Sequence, residues 1–184
     1  MEHIITFTGE KIKPLDPEAA QIHIEDIAHS LSLLCRANGH IDYFFSIAQH
    51  SINCANEAKA RGHPAWIQLA CLIHDASEAY LSDITRPVKL HLPEYKVIEN
   101  RLQNIIYLKF LGKTEDDGFN YVYQIDNDML THEFNALMKN RNKPETLPLI
   151  YSTPSFENRI QTEVETEFLK MYYGIMHAGL VQGR

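Results

Sequence analysis

The sequence predicts an all-α protein with a small β-hairpin at its N-terminus. Helix start and stop signals recur from Ile24 onward, and the last part of the chain repeats apolar residues at helical spacing. Extended structure is indicated only at the beginning, where two short runs flank Thr8-Gly9 as strands flank a hairpin turn. Because the chain has no internal repeat and no linker, residues 1–184 are predicted to form a single domain.

Serine, proline and glycine residues set the predicted ends of the helices. Ser46 and Gln49 fit a capping box, and Pro64 and Pro93 suit the first turn of a helix. Apolar residues recur at every fourth position of the last helix, at Phe156, Ile160, Val164 and Phe168. These signals predict six helices, at about 24–38, 46–62, 64–80, 93–112, 118–140 and from 155 onward, with 142–154 as a loop.

The composition argues against several classes of function. The chain has 24 acidic and 17 basic residues, a formal net charge of −7 and no block of lysine and arginine, so we do not expect nucleic acid as a partner. Neither a run of 18 apolar residues nor the apolar block of a signal peptide is present, which predicts a cytoplasmic protein without a membrane partner. Cys35, Cys54 and Cys71 are widely spaced and have apolar neighbours, which is typical of core thiols.

The third predicted helix carries three titratable residues where apolar ones are expected. Apolar residues surround nearly its whole circumference, yet it contains His74, Asp75 and Glu78, which one helix edge can present together. Burying two carboxylates is costly unless a cation or dense hydrogen bonding compensates. A metal ion supplies such a cation and takes imidazole and carboxylate ligands. The alternative is a buried His-Asp pair, with Glu78 reaching solvent at the end of the helix.

Two further candidate ligands lie on other predicted helices. His50 has apolar neighbours at helical spacing, three residues before it and four after it. The same test places Asp126 on an apolar face and Asp128 on a polar, solvated one. His50, His74, Asp75 and Asp126 therefore predict a metal site with two nitrogen and two oxygen ligands, with positions left for water or substrate.

These four residues fit the pattern H…HD…D, and the sequence around them resembles the HD superfamily of metal-dependent phosphohydrolases. The segments IEDIAHSLSLLCRANGH, FFSIAQHS, HDASEAYLSDITRPVK and DNDMLTHE are similar to the small single-domain branch, which contains 5′-deoxynucleotidases and phage-type dATP triphosphohydrolases. The likeness covers about residues 5–135. It implies an HD-type helical bundle with one divalent transition-metal ion (Co, Mn, Zn, Fe or Ni), and an additional Mg with a triphosphate substrate.

The resemblance also implies roles for residues around the metal. Glu78 corresponds to a glutamate beside the metal-bound water, which it orients or deprotonates. Asp83 corresponds to an aspartate that protonates the leaving oxygen or positions the nucleophile, and which carboxyl group is the acid stays open. Arg36 and Lys89 correspond to basic substrate contacts, with Arg86 as a third candidate.

The predicted activity is hydrolysis of a (deoxy)nucleotide phosphate. The segments GEKIKPL and CRANGH resemble phage-type members, which favours a dNTP triphosphohydrolase that releases polyphosphate, with extra positive charge from Arg86, Lys113 or another subunit. Relatives carry an aromatic residue where this chain has Ala37, so contacts to the base are expected to differ. The alternatives are a 5′-deoxynucleotidase acting on dNMPs, a hydrolase of a signalling nucleotide such as (p)ppGpp, and a non-catalytic module stabilised by its metal. Small members of the family self-associate, so a homo-oligomer is expected.

Overall fold

The fold is a bundle of α-helices preceded by a two-stranded hairpin. The computed structural model describes residues 2–114, 117–138 and 146–182. Strand β1 (Ile4–Ile5) pairs antiparallel with β2 (Lys11–Ile12). The helices of the described residues are α1 (Ile24–Leu33), α2 (Ile47–Ala60), α3 (Ala65–Leu72), α4 (Glu78–Leu81), α5 (Arg86–Lys89), α6 (Pro93–Leu111), α7 (Asn120–Leu137) and α8 (Gln161–Gln182). The prediction of an all-α fold with a small N-terminal hairpin is confirmed.

Helix α3 lies at the centre of the bundle. Leu69, Ala70 and Leu72 are buried, and the helix packs against α2, α7 and α8. Such an apolar helix requires partners around most of its circumference, which these three helices supply. Over the described ranges no helix combines the length and the apolar character that a membrane crossing requires.

The start of α2 and the limits of α6 agree with the capping signals in the sequence. Ser46 is the N-cap of α2; its Oγ accepts from the Gln49 amide at 3.2 Å, and Gln49 Oε1 accepts from the Ser46 amide at 3.2 Å. Helix α6 begins at Pro93 and is closed by Gly112 in the left-handed conformation. The capping box and both ends of α6 are therefore confirmed.

The helix predicted over 64–80 is interrupted. Helices α3 and α4 are separated by a turn at residues 73–77. The buried side chain of Gln103, on α6, takes over hydrogen bonds of this turn, since its Nε2 donates to the first carbonyl at 2.8 Å and its Oε1 accepts from the last amide at 2.9 Å. His74 and Asp75 consequently project from a turn and not from one edge of a continuous helix.

The first helix is shorter than predicted, because a 3₁₀ turn at 36–39 follows α1. In this turn Ala37 and Asn38 have φ values of 52° and 50°. Left-handed backbone of this kind costs a residue other than glycine on the order of 1 kcal/mol, so the surrounding structure must enforce it. The turn carries Arg36, whose side chain is only 11% exposed, into the interior.

The last helix begins at Gln161 and not near residue 155, because residues 151–157 form an irregular segment along α2, here called the strap. Gln49 Nε2 donates to the Glu157 carbonyl at 3.0 Å, and Asn53 Nδ2 donates to the Ser155 carbonyl at 3.0 Å. Three donors of Tyr151 and Ser152 reach the carboxylate of Glu57, which is buried. The polar side chains of α2 therefore replace the helical hydrogen bonds that the strap forgoes.

The remaining two differences concern α5 and α7. The four-residue helix α5 was not predicted, and it lies in the stretch between the turn and α6. The helix predicted over 118–140 is observed as α7, which ends at Leu137, while residues 139–140 lie outside the described residues.

Candidate metal centre

His50, the fourth residue of α2, is fully buried, and Glu133 of α7 fixes the orientation of its ring. Its Nδ1 lies 2.7 Å from Glu133 Oε1. A carboxylate accepts hydrogen bonds, so this contact assigns the ring proton to Nδ1 and leaves the lone pair on Nε2. The Nε2 atom is therefore the metal-binding atom that His50 offers.

His74 is oriented in the same way by the backbone of its own turn. Its Nδ1 lies 2.8 Å from the carbonyl oxygen of Cys71 and must donate to it. The two Nε2 atoms of His50 and His74 lie only 3.2 Å apart. Two lone pairs at this separation repel each other unless a cation lies between them or one ring takes up a proton.

Carboxylate oxygens of Asp75 and Asp126 lie beside the two imidazole nitrogens. Asp126 Oδ1 is 3.1 Å from His50 Nε2 and 3.7 Å from His74 Nε2. Asp75 Oδ2 is 3.3 Å from His74 Nε2 and 3.9 Å from His50 Nε2. Donors that share one ion at about 2.1 Å lie roughly 3.0–3.5 Å apart in tetrahedral or octahedral geometry. The structure thus places one oxygen of each predicted aspartate within 3.1–3.9 Å of both imidazole Nε2 atoms, with the shorter distance of each pair inside the range for a shared ion.

Cys54 also lies against this cluster. The atoms that His50, Cys54 and His74 offer as ligands lie within 4.8 Å of one another, so this group could hold a metal ion, with Cys54 as a donor absent from the predicted set. Its Sγ is 3.6 Å from His50 Nε2 and 3.9 Å from His50 Nδ1. A sulfur almost equidistant from both ring nitrogens lies off the lone-pair axis of either one. Burial, followed by the charges of Asp126 and Glu133, raises the pKa of the Cys54 thiol well above its usual range, which disfavours the thiolate.

The electrostatics of the cluster follow from burial and from the carboxylates. Burial lowers the pKa of His74, but Asp75 and Asp126 outweigh it and raise the pKa to about 9. The pKa of His50 is likewise raised, because Glu133 and Asp126 outweigh burial and the charge of Arg36. Burial raises the pKa of Asp126, yet hydrogen bonds from both imidazoles hold it well below its usual range. Without a metal ion, the imidazoles therefore compensate these carboxylates by binding protons.

A cavity of about 470 Å³ opens next to the cluster. One part of its wall is charged and the other is apolar, formed by residues including Ile84, Leu130 and Phe134. The charged lining contains both aspartates of the cluster and all five other predicted site residues, namely Arg36, Asp75, Glu78, Asp83, Arg86, Lys89 and Asp126. The two imidazoles do not line the cavity, but they contact Asp75 and Asp126, which do, so the cavity adjoins the cluster of metal-binding atoms.

Glu78, the first residue of α4, is buried at the cavity wall. Its Oε1 accepts from Lys89 Nζ at 3.3 Å, whereas its Oε2 is buried without a hydrogen-bond partner among the described residues. Burial, followed by the charges of Asp75 and Asp83, raises the pKa of Glu78 well above its ordinary value. A carboxyl group in this environment can hold a proton near neutral pH.

The three predicted cations all contact carboxylates of the site. Arg36 Nη1 lies 3.3 Å from Asp75 and its Nη2 lies 3.4 Å from Glu133. Arg86 Nη2 lies 3.5 Å from Asp126, on a side chain that is 62% exposed. These contacts place positive charge on the cavity wall, where it can meet an anion.

Lys89 is more enclosed than Arg86 and lies between two glutamates. Its Nζ is 2.6 Å from Glu99 and 3.3 Å from Glu78. Lys113, which the sequence offered as a further cation, instead has its ammonium 3.8 Å from the ring centre of Trp66 and does not line the cavity.

Glu133 is a residue of the site that the sequence analysis missed. It is 1% exposed and accepts from both His50 and Arg36. The sequence held a signal for it, because Glu133 continues the buried stripe of α7 at four-residue spacing between Met129 and Leu137. A carboxylate that orients a metal-binding histidine raises the basicity of the ring and fixes its tautomer.

Asp128 differs from its predicted solvated position. It accepts from Arg61 Nη2 at 2.8 Å, and Arg61 Nε donates to Glu57 Oε1 at 2.7 Å. The side chain of Asp128 is 20% exposed. Asp128 thus belongs to the ion-pair network beside the strap and lies apart from the cavity lining.

The fold and the site together define a class of protein, a helical bundle whose histidine-containing cluster could hold a metal ion, and this class is compatible with an HD-type fold. No protein-family model matches the chain. It is similar to the uncharacterized protein YfdR of Escherichia coli (strain K12), with 38% identity over 110 residues that cover 60% of this chain and 59% of the relative. It is also similar to the uncharacterized protein RCAP_rcc00048 of Rhodobacter capsulatus, with 39% identity over 110 residues that cover 56% of this chain and 55% of the relative. The similar region spans less than two thirds of either relative.

Proposed function

We propose that the protein is an HD-type metal-dependent phosphohydrolase that acts on nucleotide phosphates. The observation that carries this proposal is the convergence of His50 Nε2 and His74 Nε2, 3.2 Å apart, with carboxylate oxygens of Asp75 and Asp126 beside them. Both rings are locked by Nδ1 contacts that leave Nε2 free to bind metal. His50, His74, Asp75 and Asp126 would hold the ion.

The charges around the site fit a divalent cation. Three cationic side chains, Arg36, Arg86 and Lys89, contact or share the cavity with six carboxyl groups, those of Asp75, Glu78, Asp83, Glu99, Asp126 and Glu133. An excess of buried negative charge is costly unless a cation or protons offset it. The buried, unpartnered Oε2 of Glu78 adds to this cost within the described part of the chain. A bound divalent ion would offset the excess of negative charge.

The aspartates are better candidates for the remaining ligands than Cys54. The oxygens of Asp75 and Asp126 face the Nε2 atoms of both imidazoles, whereas Cys54 lies four residues after His50 and beside its ring. Burial raises the pKa of the Cys54 thiol in the metal-free protein, so coordination through Cys54 would have to displace a proton. A set of two nitrogens and two oxygens accepts Mn, Fe, Co, Ni or Zn.

The cavity places suitable groups for phosphoryl transfer next to the proposed ion. A divalent ion would act as a Lewis acid toward a phosphoryl oxygen and lower the pKa of a coordinated water. Glu78 is a buried carboxyl group on the cavity wall with a raised pKa, which suits it to proton transfer: it would accept a proton from the attacking water when ionised and donate one when protonated. Asp83 lines the same cavity and is the second carboxyl group that can serve the leaving oxygen. Arg36 and Lys89 would neutralise the phosphoryl oxygens.

The charge balance supports a nucleoside monophosphate more strongly than a triphosphate. A triphosphate carries about four negative charges at neutral pH, and each of the three cations of the cavity already contacts a carboxylate. Lys113 contacts Trp66 and does not line the cavity. We therefore place the 5′-deoxynucleotidase activity ahead of the dNTP triphosphohydrolase that the sequence resemblance favours, and a triphosphate would enter with its own Mg²⁺.

The test is metal analysis of the purified protein followed by chromatography of the products from a panel of dNMPs, NMPs and dNTPs. We expect one divalent ion per chain and release of phosphate from monophosphates. Release of tri- or pyrophosphate from dNTPs alone would favour the triphosphohydrolase. A protein that binds its metal and is inert toward every nucleotide, including (p)ppGpp, would instead be the metal-stabilised module.

Glu78→Gln separates catalysis from metal binding. Because Glu78 is not among the four proposed ligands, the variant should retain its metal ion while turnover falls by about 10²-fold to 10⁴-fold. Turnover close to that of the wild type would remove Glu78 from the mechanism.

A cytoplasmic location, a homo-oligomeric state and a single domain over 1–184 stay predictions from the sequence.

A further inference from the structure

Two side chains of α6 contact the segment that supplies Asp83 and Lys89 to the cavity. Tyr95 and Glu99 are four residues apart and therefore share one face of α6. Neither side chain lines the cavity. Tyr95 contacts Ser82, which precedes the cavity residue Asp83, and Glu99 contacts the cavity residue Lys89. Both side chains are therefore candidates for positioning residues of the cavity.

Glu99 holds the ammonium group of Lys89. The Nζ atom is 2.6 Å from Glu99 and 3.3 Å from Glu78, so the shorter of its two ion pairs lies away from the cavity. The Glu99 side chain is 15% exposed, and the ring of Tyr95 lies 5.8 Å from the same ammonium group. An ion pair this enclosed is only weakly screened by solvent, which makes Glu99 the stronger restraint on Lys89.

Tyr95 holds the backbone at the other end of the same segment. Its hydroxyl donates to the Ser82 carbonyl at 3.0 Å. Ser82 has a φ of 71° and precedes Asp83, so the direction of the chain into the cavity depends on a conformation that serine adopts only under restraint. The Ser82 amide in turn donates a hydrogen bond to the Glu78 carbonyl at 2.8 Å.

We propose that Glu99 and Tyr95 are positioning residues of the site: Glu99 holds Lys89 between itself and Glu78, and Tyr95 fixes the Ser82 carbonyl that directs Asp83 into the cavity. This inference rests on the proposed function for its catalytic consequence. Without Glu99, Lys89 keeps Glu78 as its main partner and moves onto it. Lys89 then no longer meets a phosphate freely, and Glu78 is no longer free to accept a proton.

Simple electrostatics and positioning predict opposite results for Glu99→Gln. Removal of one negative charge near an anion site should strengthen binding of inorganic phosphate if Glu99 acts only through its charge. If Glu99 positions Lys89, the Mn-loaded variant should bind inorganic phosphate more weakly and its kcat for a deoxynucleoside monophosphate should fall about tenfold. Tyr95→Phe should lower kcat by a similar factor and leave phosphate affinity unchanged, because it removes only the hydrogen bond to Ser82.

Lys89→Met provides the test that Glu99 acts through Lys89. In that background Glu99→Gln should have no further effect on kcat or on phosphate affinity, since the group it positions is gone. The matched control is Glu94→Gln, which removes an exposed carboxylate from the first turn of the same helix and should leave both quantities unchanged. Additive effects of Glu99→Gln and Lys89→Met would overturn the inference.

A crystal structure of Glu99→Gln gives a readout that does not depend on activity. We expect the hydrogen bond between Lys89 Nζ and Glu78 Oε1 to shorten from 3.3 Å to about 2.8 Å. If Lys89 stays in place, the positioning role is wrong, whatever the kinetics show. If Lys89 moves while wild-type protein neither binds phosphate nor hydrolyses nucleotides, the positioning role holds and the proposed function fails.

Discussion

Helix α2 carries buried polar side chains on two edges, and the two sets are balanced in different ways. Toward the strap, Glu57 accepts from the amides of Tyr151 and Ser152, from the Ser152 hydroxyl and from Arg61. Toward the cavity, His50 faces carboxylates of other elements, and the nearby Glu78 Oε2 has no partner within the described residues. For Glu57 the chain itself supplies the hydrogen-bond partners, whereas the cluster around His50 lies next to a buried carboxylate oxygen that has none among the described residues.

This difference separates a structural polar cluster from a candidate binding site. Buried polar groups that hold the fold together are matched by donors and acceptors of the same chain, as along the strap. A buried cluster with more carboxylates than cations must take up positive charge from solution, either as protons or as a bound ion. The following predictions test whether the two edges of α2 differ in this way.

The largest effect should come from the cavity edge. Asp126→Ala removes an oxygen that lies 3.1 Å from His50 Nε2, so the variant should lose its metal ion together with its activity, which should fall by about 10³-fold or more. Metal content by mass spectrometry and initial rates measure the two losses. A variant that retains its metal and its turnover would remove Asp126 from the site.

On the strap edge, the loss should appear in stability and not in metal binding. Glu57→Ala leaves two backbone amides without their acceptor and should lower the free energy of unfolding by about 3 kcal/mol, a fall in Tm of roughly 6–12 °C. Glu57→Gln, which keeps the shape and one acceptor oxygen, should lose less. If Glu57→Ala reduced the metal content of the folded protein at an unchanged Tm, the two edges would not be independent.

The fold could be predicted from the sequence wherever local signals decide it. Ser46 and Gln49 marked the start of α2, and Pro93 and Gly112 marked the limits of α6, because caps depend on neighbouring residues. The break after α3 could not be predicted, since Gln103 creates it from thirty residues away. The late start of α8 has the same origin, because the strap is held by side chains of α2.

The candidate site likewise contains residues that local sequence patterns predict and residues that they do not. Helical periodicity placed His50 and Asp126 on buried faces of α2 and α7, and the two side chains lie 3.1 Å apart. His74 and Asp75 lie beside them from a turn, which periodicity did not predict. Glu133 had such a signal as well, from the buried stripe of α7. The contact of Glu99 with Lys89 had none, because no local pattern tells which acidic residue on the next helix meets a given lysine. The same holds for Asp128, whose partner Arg61 is the C-cap of α2.

The pH dependence should also distinguish the two edges. A protonated imidazole cannot bind a metal, and the pKa of His74 is raised to about 9, so protons compete with the ion throughout the neutral range. Metal affinity should therefore rise with pH by up to about tenfold per unit until pH 9, with protons released on binding. Calorimetry in buffers of different ionisation enthalpy measures both quantities. An affinity that is constant between pH 7 and pH 9 would contradict this assignment of the charges.

On the strap edge the pKa is shifted in the opposite direction, and the pH range affected is acidic. Ser152 and Arg61 outweigh burial and lower the pKa of Glu57 below its usual 4.5, so the stability that the ionised group contributes is present above that pH and is lost only as the pH falls below it. Between pH 7 and pH 9 the contribution of this edge to the free energy of unfolding should therefore be constant. The difference in stability between the wild type and Glu57→Ala, measured by urea unfolding at both pH values, checks this.

The smallest effect is expected for Asp128→Asn, which is the matched control for Asp126. Both aspartates lie on α7 with side chains 20% exposed, but Asp128 pairs with Arg61 and does not line the cavity. Removing one partly exposed ion pair should lower stability by about 0.5–1 kcal/mol and leave metal content and turnover unchanged. Urea unfolding and the metal and rate assays used for Asp126→Ala test this directly. The two residues are only two positions apart on one helix. A loss of metal in Asp128→Asn would therefore contradict the assignment of Asp128 to the structural ion-pair network and of Asp126 alone to the metal site.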